Sequence, residues 1–218
     1  MARPSTALLE SQLTGEEQAV VAALTTPRKI QDFLDTITYE PEYFNRSPLR
    51  VIRERYGHCY DGALFAAAML RRIGHPPVVI DLTPEPLMDD DHMLAVFRQN
   101  GAYGAVAKSN FTGLRYREPV YRSVRELVMS YFDDYFNQLG RRTLRGYTVP
   151  LNLARFDAQR WETEDAGCDA IEHALESRRQ VTLLTPEMIR DLTPVDPRAL
   201  EAGMAGGSKE GFFIPGIV

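Results

Sequence analysis

The segment ALFAAAML, from Ala63 to Leu70, is apolar at every position, so a helix built from it has no polar side to turn to water. Such a helix belongs inside a protein, and the rest of the chain has to wrap around it. Charge returns only at Arg71 and Arg72, Gly74 marks the end, and Pro76-Pro77 blocks continuation. A chain of 218 residues has room for one generous domain, or a domain with an appendage, around such a core. Hydrophobic residues at 44% and charged residues at 25% are ordinary for a globular protein and argue against disorder. The net charge of -5 leaves no general basic field of the sort nucleic-acid binding needs.

The elements expected around this helix can be read in order. Thr14 and Glu17 form a capping box ahead of QAVVAAL. Thr26-Pro27 and Ser47-Pro48 each combine a cap residue with a first-turn proline. After the buried helix, VVIDL (78–82) reads as a strand by its β-branched content. An acidic loop, TPEPLMDDD, leads into HMLAVFRQNGAYGAVAKSN, where Asn100-Gly101 between two apolar runs predicts a hairpin. His92 then opens one strand and Lys108, Ser109 and Asn110 close its partner. Ser123 and Glu126 predict a further helix reaching about Asn137, and YTVPLNL (147–153) one more strand. The expected fold class is α+β, with a central buried helix on an antiparallel sheet. Residues 1–154 are expected to form the core with its N-terminal helices, and residues 155–218 a helical C-terminal appendage.

Cys59 stands at the doorway of the apolar helix, in YGHCYDGAL. A cysteine in a helix's first turn meets unpaired backbone N–H groups and the positive end of the helix dipole. Both favour thiolate, so the pKa of Cys59 is expected below the ~8.5 of a free thiol, and the same N–H groups can hold an oxyanion. The competing view is that Cys59 is a small buried hydrophobe, the role assigned to Cys168. A nucleophilic thiol needs a base. His58 is adjacent, with its side chain expected to point away; His75 lies in a turn and His173 in the tail. His92, at the mouth of a strand, is the chosen base. The third member depends on hairpin register. A two-residue loop puts Ser109 opposite His92, loop residues 99–101 put Lys108 there, and loop residues 100–102 put Asn110 there. Charged lysine has no acceptor, so Asn110 is preferred and Ser109 is the weaker choice. Asp89, Asp90 and Asp91 are read as a solvated loop whose charge holds His92 protonated, because consecutive carboxylates in extended chain point to alternate faces and cannot converge on one metal ion.

Gly57-His58-Cys59 with YDGALFAAAMLRRIGHPPVVIDL, then DHMLAVF, then YGAVAKSN, resembles the transglutaminase-like superfamily of papain-type thiol enzymes over residues 45–137. That family places a G-x-C at the start of its central helix, a histidine on a following strand and an acid on the next. Here the aspartate position aligns with Ala107, and no Asp or Glu occurs between His92 and Glu118, so Asn110 is the substitute. The resemblance implies a thiol-dependent acyl-transfer enzyme, cleaving an amide or thioester through a Cys59 thioacyl intermediate that passes to water or an amine. Cys59, His92 and Asn110 form the expected catalytic set, with no organic cofactor and no metal. An arylamine N-acetyltransferase-like acyltransferase and a catalytically inactive binding or scaffold domain are the alternatives. Expected partners are a peptide, amide or thioester substrate and an amine acceptor, with no nucleic acid and no membrane. The opening MARPSTALLESQLTGEEQ lacks a long apolar core and a cleavage site. Together with two cysteines, too few for a disulfide framework, this points to the cytoplasm.

Overall fold

A computed structural model describes residues 6–39 and 44–215. In chain order the helices are α1 (Ala7–Gln12), α2 (Gly15–Ala23), α3 (Pro27–Asp35), α4 (Pro48–Glu54), α5 (Cys59–Arg72), α6 (Val124–Met129), α7 (Asp165–Glu176), α8 (Pro186–Arg190) and α9 (Pro197–Met204). The strands are β1 (Thr38–Tyr39), β2 (Tyr56–Gly57), β3 (Val78–Pro84), β4 (His92–Gln99), β5 (Ala102–Val106), β6 (Arg117–Tyr121), β7 (Leu144–Thr148), β8 (Leu151–Asn152) and β9 (Gln180–Thr182). β1 and β2 make a small parallel pair, and the rest form one antiparallel sheet in the order β6-β5-β4-β3-β7-β9, with β8 also on β3. The fold is α+β.

The apolar segment behaves as its composition demands: every residue from Ala63 to Leu70 is fully buried within α5. α5 lies on the sheet face that presents Val79, Met93, Ala95 and Phe97, and α3, α4 and α7 complete that core. The opposite face presents Ile80, Leu82, Leu94 and Val96 to Leu127, Val128, Tyr131 and Tyr135. β4 is thus apolar on both faces. The hairpin takes the two-residue form, with Asn100 at φ 51° and Gly101 at φ 83°, and Gln99 pairs with Ala102. The capping box of Thr14 and Glu17 forms as expected.

Three elements depart from expectation. α6 ends at Met129, and Tyr131 and Tyr135 continue its apolar stripe in turns, each hydroxyl donating to a carbonyl: Arg115 O for the first, Leu82 O and Asp90 O for the second. The strand over 147–153 is divided into β7 and β8 around Pro150, which has no N–H for a ladder. The tail is not wholly helical. β9 extends the sheet beside β7, and Trp161, Cys168, Ile171 and Leu175 belong to the same core as α5. Among the described residues no helix is long and apolar enough to cross a membrane.

Candidate functional site at the start of the buried helix

His58 caps α5: its Nδ1 accepts from Tyr60 N–H at 3.3 Å, and Asp61 Oδ2 accepts from His58 N–H at 3.3 Å. Asp61 is fully buried, where Arg46 N–H donates to Oδ1 at 2.8 Å and the Arg46 guanidinium lies 3.4 Å from Oδ2. This anchors the first turn and fixes where Cys59 points. The thiol reaches toward β4, with Sγ 3.8 Å from Asp91 O and the Met93 N–H directed at it. A cavity of about 530 Å³ opens there, lined by Cys59, His58, Asp81, Asp90 and Asp91 on the core side. Its other wall is the C-terminal stretch from Glu210 to Ile214, together with Glu172 and Leu175 of α7.

The structure does not bring His92 and Asn110 to this thiol. Strand alternation puts Asp91 and Met93 toward α5 and therefore turns His92 to the opposite face with Leu94 and Val96. There His92 Nε2 donates to Leu114 O at 2.7 Å, and its ring meets Tyr135 edge-on at 6.4 Å. Burial lowers its pKa to about 4, so it is neutral near pH 7, contrary to the protonated state expected from the acidic loop. Asn110 has other partners: its Nδ2 donates to Ser208 O at 2.7 Å and its Oδ1 accepts from Ser208 N–H at 2.8 Å. The two-residue hairpin register explains this, since it aligns Ser109 rather than Asn110 with His92. The ladder itself stops at Ala95 and Val106, and Ser109 Oγ accepts from Phe111 N–H instead. Asn110 therefore pins the tail that walls the cavity. Gln138, donating to Phe213 O, and Phe111, stacked edge-on against Phe212, hold it further along.

The electrostatics of Cys59 also depart from expectation. Burial pushes its pKa well above the ordinary thiol value, the charges of Asp91 and Asp90 add to this, and only the Met93 N–H opposes them. The carboxylates feel the same crowding. Burial raises Asp81 well above the usual range, and Asp91 is lifted to about 7 by desolvation and by the charges of Asp90 and Glu172. Asp91 is solvent-exposed, so water tempers that lift. The histidine that sequence reasoning set aside, His58, is the one lining the cavity. Its Nε2 lies 3.5 Å from Asp61 Oδ2, which leaves Nδ1 as the acceptor. The i, i+3 spacing of His58 and Asp61 at a helix start was the available signal. Among the described residues no group of three or more His, Cys, Asp or Glu is placed to hold a metal ion.

No protein-family model matches the chain, and no curated protein matches it. Among solved structures, Legionella pneumophila LapG is similar at 17% identity and a TM-score of 0.35, over 46% of this chain and 69% of that one. Its EGTA-treated and calcium-bound forms give the same identity and TM-score, over 47% of this chain and 67% and 68% of theirs. Likeness at that level assigns neither fold nor activity.

Proposed function

We propose that the protein is a thiol-dependent acyl-transfer enzyme of the transglutaminase-like kind, with Cys59 as nucleophile. The observation that carries this reading is the placement of the Cys59 thiol: first turn of a helix buried from Cys59 to Arg71, at the wall of a cavity of about 530 Å³, beneath the Met93 N–H. Sγ attacks an amide carbonyl while its proton passes to the imidazole of His58, which lines the same cavity and gives up the Nδ1 bond from Tyr60 N–H to take it, and Asp61 holds the ring through Nε2. Backbone N–H groups at the start of α5 hold the oxyanion. The tetrahedral adduct then expels the amine, which takes the proton from His58, and a thioacyl enzyme remains for water or an acceptor amine. His92 and Asn110 support the site from outside it: one packs the far face of β4, the other anchors the tail.

The lining favours a peptide or simple amide over a coenzyme-A thioester. A polyanionic donor would meet the charges of Asp90, Asp91, Glu172, Glu176 and Glu210. That weighs against the arylamine N-acetyltransferase-like alternative. A cytoplasmic setting fits the two unbridged cysteines. A second reading, a binding domain without catalysis, is favoured by one specific observation: the resting thiol is held neutral by burial and by neighbouring acid.

Intact-mass spectrometry after incubation with activated peptide amides and esters tests the proposal. A hydroxylamine-sensitive acyl adduct is expected on the wild type and absent from Cys59→Ala. His58→Asn, which keeps a capping side chain, should lose the adduct, and His92→Ala should keep it. An adduct-free wild type across the substrate panel would favour the binding-domain reading. Loss of the adduct in His92→Ala alone, with the fold intact, would restore His92 as the base.

A further inference from the structure

Asp81 is a buried carboxylate with an unfilled hydrogen-bonding position. It is 8% exposed, and its carboxylate takes the backbone N–H of His92. Its Oδ1 has no hydrogen-bond partner, although Asp81 faces the cavity beside Cys59. A buried unpaired acceptor carries a desolvation penalty, and natural proteins rarely leave one without a use. The surroundings state the sign of the missing partner. Asp90, Asp91, Glu172, Glu176 and Glu210 share the lining, and no lysine or arginine is among the described lining residues.

Burial keeps a proton on Asp81 while the cavity is empty, and a cation seated at Oδ1 would take the place of that proton; its shape can be narrowed. A single free oxygen suits a compact ammonium donor better than the planar fork of a guanidinium, which seeks two parallel acceptors. A bare metal ion fits poorly, since no described group of three ligating side chains converges there. Leu175, Phe212, Phe213 and Ile214 also line the cavity and would cover a short alkyl chain. We propose that the cavity seats an alkylammonium group of the substrate against Asp81, which brings to Cys59 a permanent positive charge that no lysine or arginine of the lining supplies there.

This rests on the acyl-transfer reading only for the word substrate, since the ammonium site stands or falls by binding alone. Seating is non-covalent: no bond forms at the nitrogen, and the ammonium keeps its protons as hydrogen-bond donors to Oδ1. A consequence for the thiol follows. A cation placed among these carboxylates cancels the charge that opposes the thiolate, so the site becomes nucleophilic when it is filled.

Two measurements test the proposal. Butylammonium, 1,5-diaminopentane and a blocked lysine peptide are titrated by ligand-observed NMR into the full-length Cys59→Ala protein, with butanol and the norleucine peptide as neutral isosteres. Saturable binding of at least one ammonium probe, without binding of its isostere, is expected, and Asp81→Asn should weaken it about tenfold or more. The free amines and the peptide separate a small-molecule source from a protein-borne one. In the wild type, saturating ammonium probe should speed Cys59 carbamidomethylation at pH 7 about tenfold, while buried Cys168 stays unlabelled; this arm decides if Asp81→Asn fails to fold. Absence of saturable binding, equal binding of the isosteres, retention in a folded Asp81→Asn, or one-to-one displacement by micromolar calcium would overturn the proposal. Ammonium binding without any acyl adduct on Cys59 would leave it standing and remove the acyl-transfer reading instead.

Discussion

At Gly62 the helix that carries Cys59 lies against Lys108, just past the end of β5, and Gly62→Ala measures that approach. A Cβ built at Gly62 would stand 2.3 Å from Lys108 Cβ and 3.2 Å from its Cγ, where ordinary contact lies at 3.4–4 Å. The neighbour cannot yield by about the 1 Å required. Lys108 is held at its far end, Nζ donating to Leu34 O at 2.9 Å and Ile37 O at 2.6 Å. Its backbone is held as well, because Gln31 bonds both the N–H and the carbonyl of Ala107. The helix must therefore move, and Cys59 stands one turn upstream. Overpacking costs about 1–3 kcal/mol, here toward the upper end because both sides are fixed. Alanine's better helix propensity returns about 1 kcal/mol. The net loss is about 1–2 kcal/mol, or roughly 2–8 °C in Tm for a chain of this size. Calorimetry on wild type and Gly62→Ala reads this directly. Gly15→Ala, with nothing within 4 Å of the added methyl, serves as the control and should be neutral or slightly stabilising. A Tm that rises in Gly62→Ala would mean propensity prevails, and the close packing of α5 on the end of β5 would have to be abandoned.

Three further outcomes are expected. In the absence of ligand, Cys59 alkylation should still be climbing at pH 9, since burial and Asp91 raise its pKa and thiolate appears only as pH rises through it; Asp91→Asn should move the profile to lower pH, and a plateau below pH 7 would contradict the electrostatics. His92→Ala should cost about 2–4 kcal/mol in urea melts, from the cavity and from the unpaired Leu114 carbonyl, with unchanged Cys59 alkylation if the melt is small enough to leave the fold intact. Asn110→Ala should free the Ser208 backbone, seen as faster proteolysis near Ser208 and faster Cys59 alkylation, because the tail it anchors walls the cavity; unchanged proteolysis would deny Asn110 that role.

What the sequence made legible, and what it did not, turns on the same strand. α5 was legible because a helix apolar all round has one place to go, and the hairpin because Asn100 and Gly101 both accept positive φ. The first placed Cys59 at a buried helix start; the second left the register open, and the preference for Asn110 went with loop residues 100–102 where the structure has the two-residue form. The choice of base required one more fact: which face of β4 the helix covers. In the run HMLAVF, residues of both parities are apolar after the histidine, so nothing in the pattern distinguishes a His92 facing the thiol from a His92 facing away. The other face is apolar because α6 and the two tyrosines after it cover it, a long-range arrangement that local periodicity does not record. The alternation that made three consecutive aspartates an unlikely metal site also fixes the answer once Met93 is known to meet α5: Asp91 comes to the thiol and His92 leaves it. The tail was misjudged for a related reason. β9 offers only three residues to pattern, and its partner β7 lies more than thirty residues upstream, so its pairing becomes visible only with the sheet edge it completes. The cavity itself is assembled from that tail, from α7 and from the acidic loop, which is why its negative lining follows from the fold and not from any one motif.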